Sequence, residues 1–105
     1  MGEKRVYEVH TDPGHGWAKV SLEELRDLNA DLQKISGYSY IGKHEGETFI
    51  YLEEDQDILV LIKALGINDI EFEFKEIYAD PGFVRYLPQL GSMYDWRRGG
   101  FWEAR

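Results

Sequence analysis

The 105-residue chain contains no cysteine. A disulfide framework, a cysteine-ligated zinc site and a thiol nucleophile are therefore excluded, and the composition suits a reducing compartment. Long hydrophobic runs are also missing, since no stretch approaches the roughly eighteen apolar residues of a membrane-spanning helix. The opening residues MGEKRVYEVH become charged before an apolar signal core can form. We therefore expect a soluble, cytoplasmic protein with no membrane partner.

Positive charge is scarce, because 12 Lys and Arg residues stand against 20 Asp and Glu residues and leave a net charge of −8. Direct nucleic-acid binding is not expected, since it needs clustered Lys and Arg to displace counterions from phosphates. The charge is unevenly distributed, however, and residues 83–105 carry four arginines against two carboxylates. We therefore divide the chain into a single domain at 1–82 and a C-terminal extension at 83–105, which packs on the domain or on a partner.

The N-terminal third contains one strand signal and one helix signal. Alternating apolar and polar residues at 5–11 predict a strand, which the Asp12-Pro13-Gly14 turn ends. Ser21 and Glu24 form an S-x-x-E capping box. Leucines spaced three or four apart follow it and predict a helix over 22–35, with Gly37 placed to end it.

The next segments predict a hairpin, a helix and a last strand. Strand-like runs at 38–43 and 48–52 are separated by a loop short enough for a β-hairpin. The apolar segment 58–66 predicts a helix that Gly66 ends. Alternation from Ile70 to Lys75 predicts another strand. The order β-α-β-β-α-β indicates an α+β fold of the ferredoxin-like type: a four-stranded antiparallel sheet with two helices on one face, plus an aromatic and arginine-rich C-terminal tail.

The segment HTDPGHGW at 10–17 holds two imidazoles and a carboxylate beside a turn. His10, Asp12 and His15 are candidate catalytic residues, because imidazole titrates near neutrality and a carboxylate can orient it, and the same groups can bind a divalent metal. Their spacing matches no standard metal motif. The structural alternative is that Asp12 forms an Asx-turn before the proline, His10 caps or packs at a strand end, and Trp17 covers the edge of the core.

The carboxylates Glu53, Glu54, Asp55 and Asp57 form an acidic run before the second helix. They are candidates for docking a basic partner. The run lacks the spacing of an EF-hand loop, and no metal site is predicted there. As a solvated charge run at a helix N-terminus it needs no ligand at all.

The C-terminal tail concentrates aromatic rings and arginines, the residue types that dominate protein interfaces. Its candidate partner-binding residues are Tyr94, Trp96, Arg97, Arg98 and Trp102. Two alternatives remain open. The rings can fold back to cover the open face of the sheet, or the end of the chain can be frayed.

Three segments together resemble a family of short proteins of bacteria, phages and plasmids. These segments are VYEVHTDPGHGW at 6–17, GYSY at 37–40 and YLEEDQD at 51–57. The family carries an HTDPGHGW-type opening and a YLEED-type segment before the second helix, and the resemblance spans residues 6 to about 80. It implies a mobile-element context, and it implies no activity, cofactor or catalytic residue.

The residues favour a small non-enzymatic binding or interaction protein, such as a phage or plasmid accessory or counter-defence protein. It would use its acidic surface or its aromatic tail, and electrostatic complementarity would attract a basic partner. The alternative is a small metal-dependent hydrolase or ligand-binding domain centred on His10, Asp12 and His15. A third hypothesis is self-association through residues 83–105. No cofactor is predicted.

Overall fold

Five strands and two α-helices make up the described part of the chain, which comprises residues 4–92 and Trp96 of a computed structural model. The strands are β1 (Arg5–Thr11), β2 (Gly16–Ser21), β3 (Tyr40–His44), β4 (Glu47–Glu53) and β5 (Phe72–Tyr78). The helices are α1 (Leu22–Asp27) and α2 (Ile58–Ile67), and short 3-10 turns lie at Leu32–Lys34, Phe83–Tyr86 and Leu90–Ser92. The α+β class predicted from the sequence is confirmed.

The sheet is mixed and has the order β3-β4-β2-β1-β5. Its β1–β2, β2–β4 and β3–β4 pairs are antiparallel, whereas β1 and β5 run parallel. The sequence predicts four antiparallel strands, and the structure corrects this with the fifth strand β2. The chain turns back after β1 before it enters α1. Because of this additional hairpin, β5 lies beside a strand of the same direction.

Strand β2 is buried on both faces of the sheet. Trp17 and Ala18 are neighbours in sequence, yet they belong to two separate apolar clusters. Since successive side chains of a strand point to opposite faces, the two clusters lie on the two sides of the sheet. Continuous burial explains why the segment GWAKVS carries little of the alternation by which strands are recognised.

Helix α1 begins as predicted. The Ser21 hydroxyl oxygen accepts a hydrogen bond from the Glu24 backbone N–H at 3.0 Å, as a capping box requires. Val20 and Leu25, on either side of this cap, are both buried. The local signal therefore places the start of the helix correctly.

The end of α1 is earlier than predicted, at Asp27 instead of Ile35. Asn29 adopts a left-handed conformation with φ 58°. The N–H groups of Asn29 and Ala30 donate to the carbonyls of Arg26 and Leu25 at 3.0 and 2.9 Å, which is the Schellman pattern. The later apolar residues reach the core from irregular chain, so their helical spacing misleads.

Helix α2 ends in the same way, at Ile67. Asp69 is left-handed with φ 59°, and Ile70 N–H donates to the Leu65 carbonyl at 2.9 Å. Gly66, predicted to end the helix, lies inside its last turn. The β3–β4 hairpin is confirmed and closes on Glu45 and Gly46, both with positive φ, as a type I′ turn requires.

Two apolar clusters stabilise the sheet. The larger joins both helices to one face of the sheet, and its buried members are Tyr7, Ala18, Val20, Leu22, Leu25, Leu28, Ile35, Ile41, Ile50, Leu52, Leu61, Ala64, Leu65, Leu90 and Trp96. The smaller covers the opposite face and consists of Trp17, Tyr51 and Val84, flanked by Tyr40, Phe49 and Leu87.

Residues 83–92, the C-terminal segment, pack on the domain. Pro88 and Ser39 carbonyls accept backbone hydrogen bonds from Ile41 and Leu90 at 3.0 and 2.8 Å, and Tyr40 bridges to Gln89. The segment therefore extends along the outer edge of β3 and covers unpaired backbone that would otherwise be open to another chain. Among the described residues, no helix is both long and apolar enough to cross a membrane.

Candidate binding site

The β1–β2 turn is built around the side chain of Asp12. Its Oδ1 atom accepts hydrogen bonds from the backbone N–H groups of Gly14 and His15, both at 3.0 Å. The Asp12 N–H in turn donates to the His15 carbonyl at 2.9 Å. This is the Asx-turn that the structural alternative predicts for the residue before a proline.

Arg85 of the C-terminal segment contacts the same turn. Its guanidinium donates to Asp12 through Nε and, at 3.0 Å, through Nη2. The Nη2 atom also lies 2.9 Å from His15 Nδ1. The guanidinium carbon stands 5.4 Å from the ring centre of Trp17, on which the His15 ring stacks at 5.9 Å. Arg85 thus joins Asp12, His15 and Trp17 into one cluster.

Electrostatics favour the ionised form of Asp12. The Arg85 hydrogen bonds lower the pKa of the Asp12 carboxyl well below its usual range, and the Gly14 and His15 amides act in the same direction against the effect of burial. The carboxylate in turn raises the pKa of the Arg85 guanidinium. A carboxylate held in this state is a poor proton donor or acceptor near neutral pH.

His10 belongs to a different group of side chains. Its ring packs edge-on against Phe83 at 5.1 Å and Tyr51 at 5.9 Å, and its Nε2 atom lies 2.9 Å from a Glu8 carboxylate oxygen. Across residues 4–92 and Trp96, no three His, Asp or Glu side chains converge as metal ligands. The structure therefore brings Asp12 and His15 together through Arg85 and places His10 in a ring cluster.

The acidic run is partly structural. Glu53 accepts hydrogen bonds from the Asp55 and Gln56 N–H groups at 3.1 Å each. Asp57 is completely buried, and its Oδ2 atom accepts from the hydroxyls of Ser36 and Ser39. Glu54 and Asp55 are exposed. A partner could therefore reach only part of the run.

The candidate residues of the tail fall mostly outside the described residues. This holds for Tyr94, Arg97, Arg98 and Trp102. Trp96 is described, and it is buried among the residues of the larger apolar cluster. For this one ring, the structure agrees with packing on the domain.

A cleft not predicted from the sequence lies between β1 and β2. The two strands pair only at Val9–Ala18, His10–Trp17 and Thr11–Gly16. Toward the start of β1 they separate, although Arg5–Glu8 stay paired with β5 and Lys19–Ser21 stay paired with β4. At this end β2 stays paired with β4 up to Ser21, which caps α1, whereas β1 stays paired with β5.

The separation opens a cleft of about 1200 Å³. It is lined by Lys4, Arg5, Val6, Tyr7, Glu8, Lys19, Val20, Ser21, Glu24, Glu47, Phe49, Asp69, Ile70 and Glu71. Most of these side chains are polar or charged, and five carboxylates stand against three cations. The cleft therefore has the size and the polar lining of a ligand site, and its lining is acidic.

A hydrogen-bonded group of three residues lies in this cleft. The Tyr7 hydroxyl and the Arg5 guanidinium both donate to Glu24 Oε2, the latter at 2.8 Å. Burial, together with the hydrogen bond to Glu24, raises the pKa of Tyr7 to about 12. The Glu24 carboxylate thus binds side chains of β1 and not the Ser21 N–H, which a full capping box would use.

Sequence reasoning missed this cleft because it missed β2. A signal was present, since the capping box follows Lys19 and Val20 without a loop.

Comparison with protein-family models, curated proteins and solved structures finds no match to this chain.

Proposed function

We propose that this protein is a non-enzymatic binding protein and that the cleft between β1 and β2 holds a segment of a protein partner. One observation carries the proposal. Two strands in the middle of a sheet pair over three residues and then separate around an open cleft of about 1200 Å³. An open cleft with strand backbone on both walls is suited to an extended chain.

The state of the candidate catalytic groups supports binding over hydrolysis. Asp12 accepts hydrogen bonds from Arg85, Gly14 and His15, and a general acid or base needs a carboxyl free to exchange its proton. His15 is engaged by the same Arg85. These contacts fit a structural role in attaching the C-terminal segment to the β1–β2 turn.

The proposal keeps the interaction role favoured by the sequence and assigns it to a different surface. The acidic character of the whole chain favours a basic partner. The resemblance to phage and plasmid proteins favours an accessory role in which that partner is a host protein.

The test is a selection of displayed random peptides on the intact protein, followed by affinity measurements on two variants. Val6 lines the cleft and is 54% exposed, whereas Leu59 of α2 does not line it and is 58% exposed. We expect Val6→Arg to weaken binding of the selected peptides by at least about tenfold, which corresponds to about 1.4 kcal/mol. Leu59→Arg is the matched control and should bind them normally. Equal binding to both variants, or a selection that retains no peptide, would contradict the proposal.

A further inference from the structure

We infer that the partner segment is an extended strand containing lysine or arginine, and that it enters between β1 and β2 as a sixth strand of the sheet. This inference rests on the proposed function and specifies the occupant of the cleft. It follows from the direction of backbone groups, the length of the opening and the charge of its lining.

The backbone of β1 has a free edge facing the cleft. Arg5 N–H donates to Glu71 and the Thr11 carbonyl accepts from Ala79, so the odd-numbered residues of β1 are bonded to β5. Hydrogen-bonding groups alternate sides along a strand. The N–H and C=O groups of Val6 and the N–H of Glu8 therefore point toward the cleft, beyond the last strand pair at Val9 and Ala18.

The backbone of β2 has a matching free edge. The Gly16 carbonyl accepts from Glu54 N–H at 3.0 Å, so the even-numbered residues of β2 face β4. The Lys19 carbonyl and the Ser21 N–H consequently point toward β1, beyond the last strand pair. An inserted strand can hydrogen-bond to both walls, whereas a strand added at a sheet edge bonds to one wall only.

The opening matches a short strand. Arg5–Tyr7 leave three residues of β1 without a partner in β2, which corresponds to about 10 Å of extended chain. A cleft of about 1200 Å³ has room for the backbone and side chains of such a segment. A folded surface would not reach the backbone groups on the walls, whereas an extended chain would.

The charge of the lining determines the preferred side chains. Glu24 is neutralised by Arg5, and Lys19 lies 4.4 Å from the ring centre of Phe49. Within residues 4–92 and Trp96, Glu47 and Glu71 are in no ion pair. Lysine or arginine on the incoming strand would supply the missing cation, and such pairing is stronger where water is partly excluded.

The exposed apolar surface of the cleft favours an incoming strand in which apolar and basic residues alternate. Val6 and Phe49 belong to strand positions that face away from the helices. Because a strand presents every second side chain to one face, apolar residues at alternate positions would cover Val6 and Phe49. The preferred segment therefore alternates an apolar residue with lysine or arginine.

The test uses blocked peptides of alternating valine and lysine, about seven residues long, with the intact protein. Three probes are compared: this peptide, its valine–glutamate counterpart, and a version N-methylated at alternate residues, which lacks the N–H donors of one strand edge. We expect the lysine peptide to bind and to slow hydrogen exchange of the Val6, Glu8 and Ser21 amides. N-methylation should weaken it by about tenfold or more, since it removes several backbone hydrogen bonds.

Two variants test the charge. Glu71→Gln should weaken binding of the lysine peptide about threefold, and Asp55→Asn, which removes a carboxylate outside the cleft, should not. Equal affinity of the glutamate peptide, or of the N-methylated one, would overturn the strand inference. Absence of protection at Val6, Glu8 and Ser21 would do the same. The proposed function would still stand if the displayed peptides lose binding to Val6→Arg, so the two failures are distinguishable.

Discussion

At the scale of single residues, the guanidinium of Arg85 connects the β1–β2 turn to the C-terminal segment. It contacts Asp12 and His15 and lies over Trp17, so three residues of one sequence motif share a partner from a distant part of the chain. The Asp12 carboxylate is buried and depends on this cation for compensation of its charge. The cluster is therefore expected to influence stability, and its dependence on pH can be derived.

Replacing Asp12 with Asn tests that cluster. The pKa of Asp12 is lower in the folded protein than in the unfolded chain, where it is about 3.9. Its contribution to stability is therefore present above about pH 4 and is lost as the pH falls below that value. We expect Asp12→Asn to lower the melting temperature by several degrees at pH 7 and to have a smaller effect in acid. Thermal unfolding monitored by circular dichroism across pH measures this.

The control is Asp55→Asn, because Asp55 is an exposed carboxyl outside the cluster. It should unfold like the unaltered protein at every pH. A pH-independent loss in Asp12→Asn would show that the turn geometry, and not the ion pair, accounts for the effect.

Tyr7 gives a second prediction at this scale, at alkaline pH. Its pKa is raised to about 12 from an unfolded value of about 10. The neutral phenol is thus favoured by folding, and this stabilisation is present below about pH 10 and is lost as the pH rises through 12. In an ultraviolet titration of tyrosinate, Tyr7→Phe should remove a late ionisation step and cost about 1 kcal/mol at pH 7. Tyr38→Phe, at a ring that is 73% exposed, is the control and should leave the late step in place.

At the scale of secondary-structure elements, the architecture depends on where each strand and helix begins and ends. Strand β2 passes into α1 at Ser21 with no intervening loop, and this junction lines the cleft. Both helices end on Schellman motifs with left-handed residues, Asn29 and Asp69. Left-handed backbone is strained for residues with a side chain, so these ends are not optimised for stability.

Asn29 is exposed, so changes there report on backbone strain alone. We expect Asn29→Gly to stabilise the protein by about 0.5 kcal/mol, because glycine adopts φ near +58° without a Cβ clash. Asn29→Val should destabilise it by about 1 to 2 kcal/mol, since a β-branched residue is poorly accommodated there. Urea unfolding of both variants measures the difference, and equal midpoints would contradict the assignment of this helix end.

At the scale of the whole molecule, the C-terminal segment completes the side of the sheet opposite the helices. Val84 is fully buried against Trp17 and Tyr51, and the backbone of the segment follows β3. Its backbone also meets the domain at Gly37, where the Gly91 N–H donates to the Gly37 carbonyl at 3.1 Å. The segment is thus part of the fold of residues 4–92.

A pair of glycine substitutions measures how tightly this segment is held. A Cβ at Gly37 would lie 2.9 Å from the Gly91 Cα, whereas a Cβ at Gly66 would meet nothing within 4 Å. We expect Gly37→Ala to destabilise the protein by about 1 to 3 kcal/mol, because backbone must move. Gly66→Ala, in the last turn of α2, should stabilise it by about 0.5 to 1 kcal/mol. Chemical denaturation measures the sign of each change in the free energy of unfolding. An unchanged free energy for Gly37→Ala would mean that the backbone of the C-terminal segment can move at little cost.

Much of the local structure could be predicted from the sequence. The start of α1, the Asx-turn at Asp12, the β3–β4 hairpin and the position of α2 each depend on interactions between residues a few positions apart. Such contacts form wherever the chain places those residue types at that spacing, so a pattern in the sequence is sufficient evidence for them.

Only the tertiary structure decided the rest. Strand β2 is a strand because both of its faces are covered, and α1 stops at Asp27 although apolar residues continue with helical spacing. Asp12 pairs with Arg85 across 73 positions of sequence, and the cleft exists because β1 and β2 follow different neighbours. These features depend on contacts between segments that are far apart in the chain. Such contacts form only when the chain folds, so no local sequence pattern predicts them.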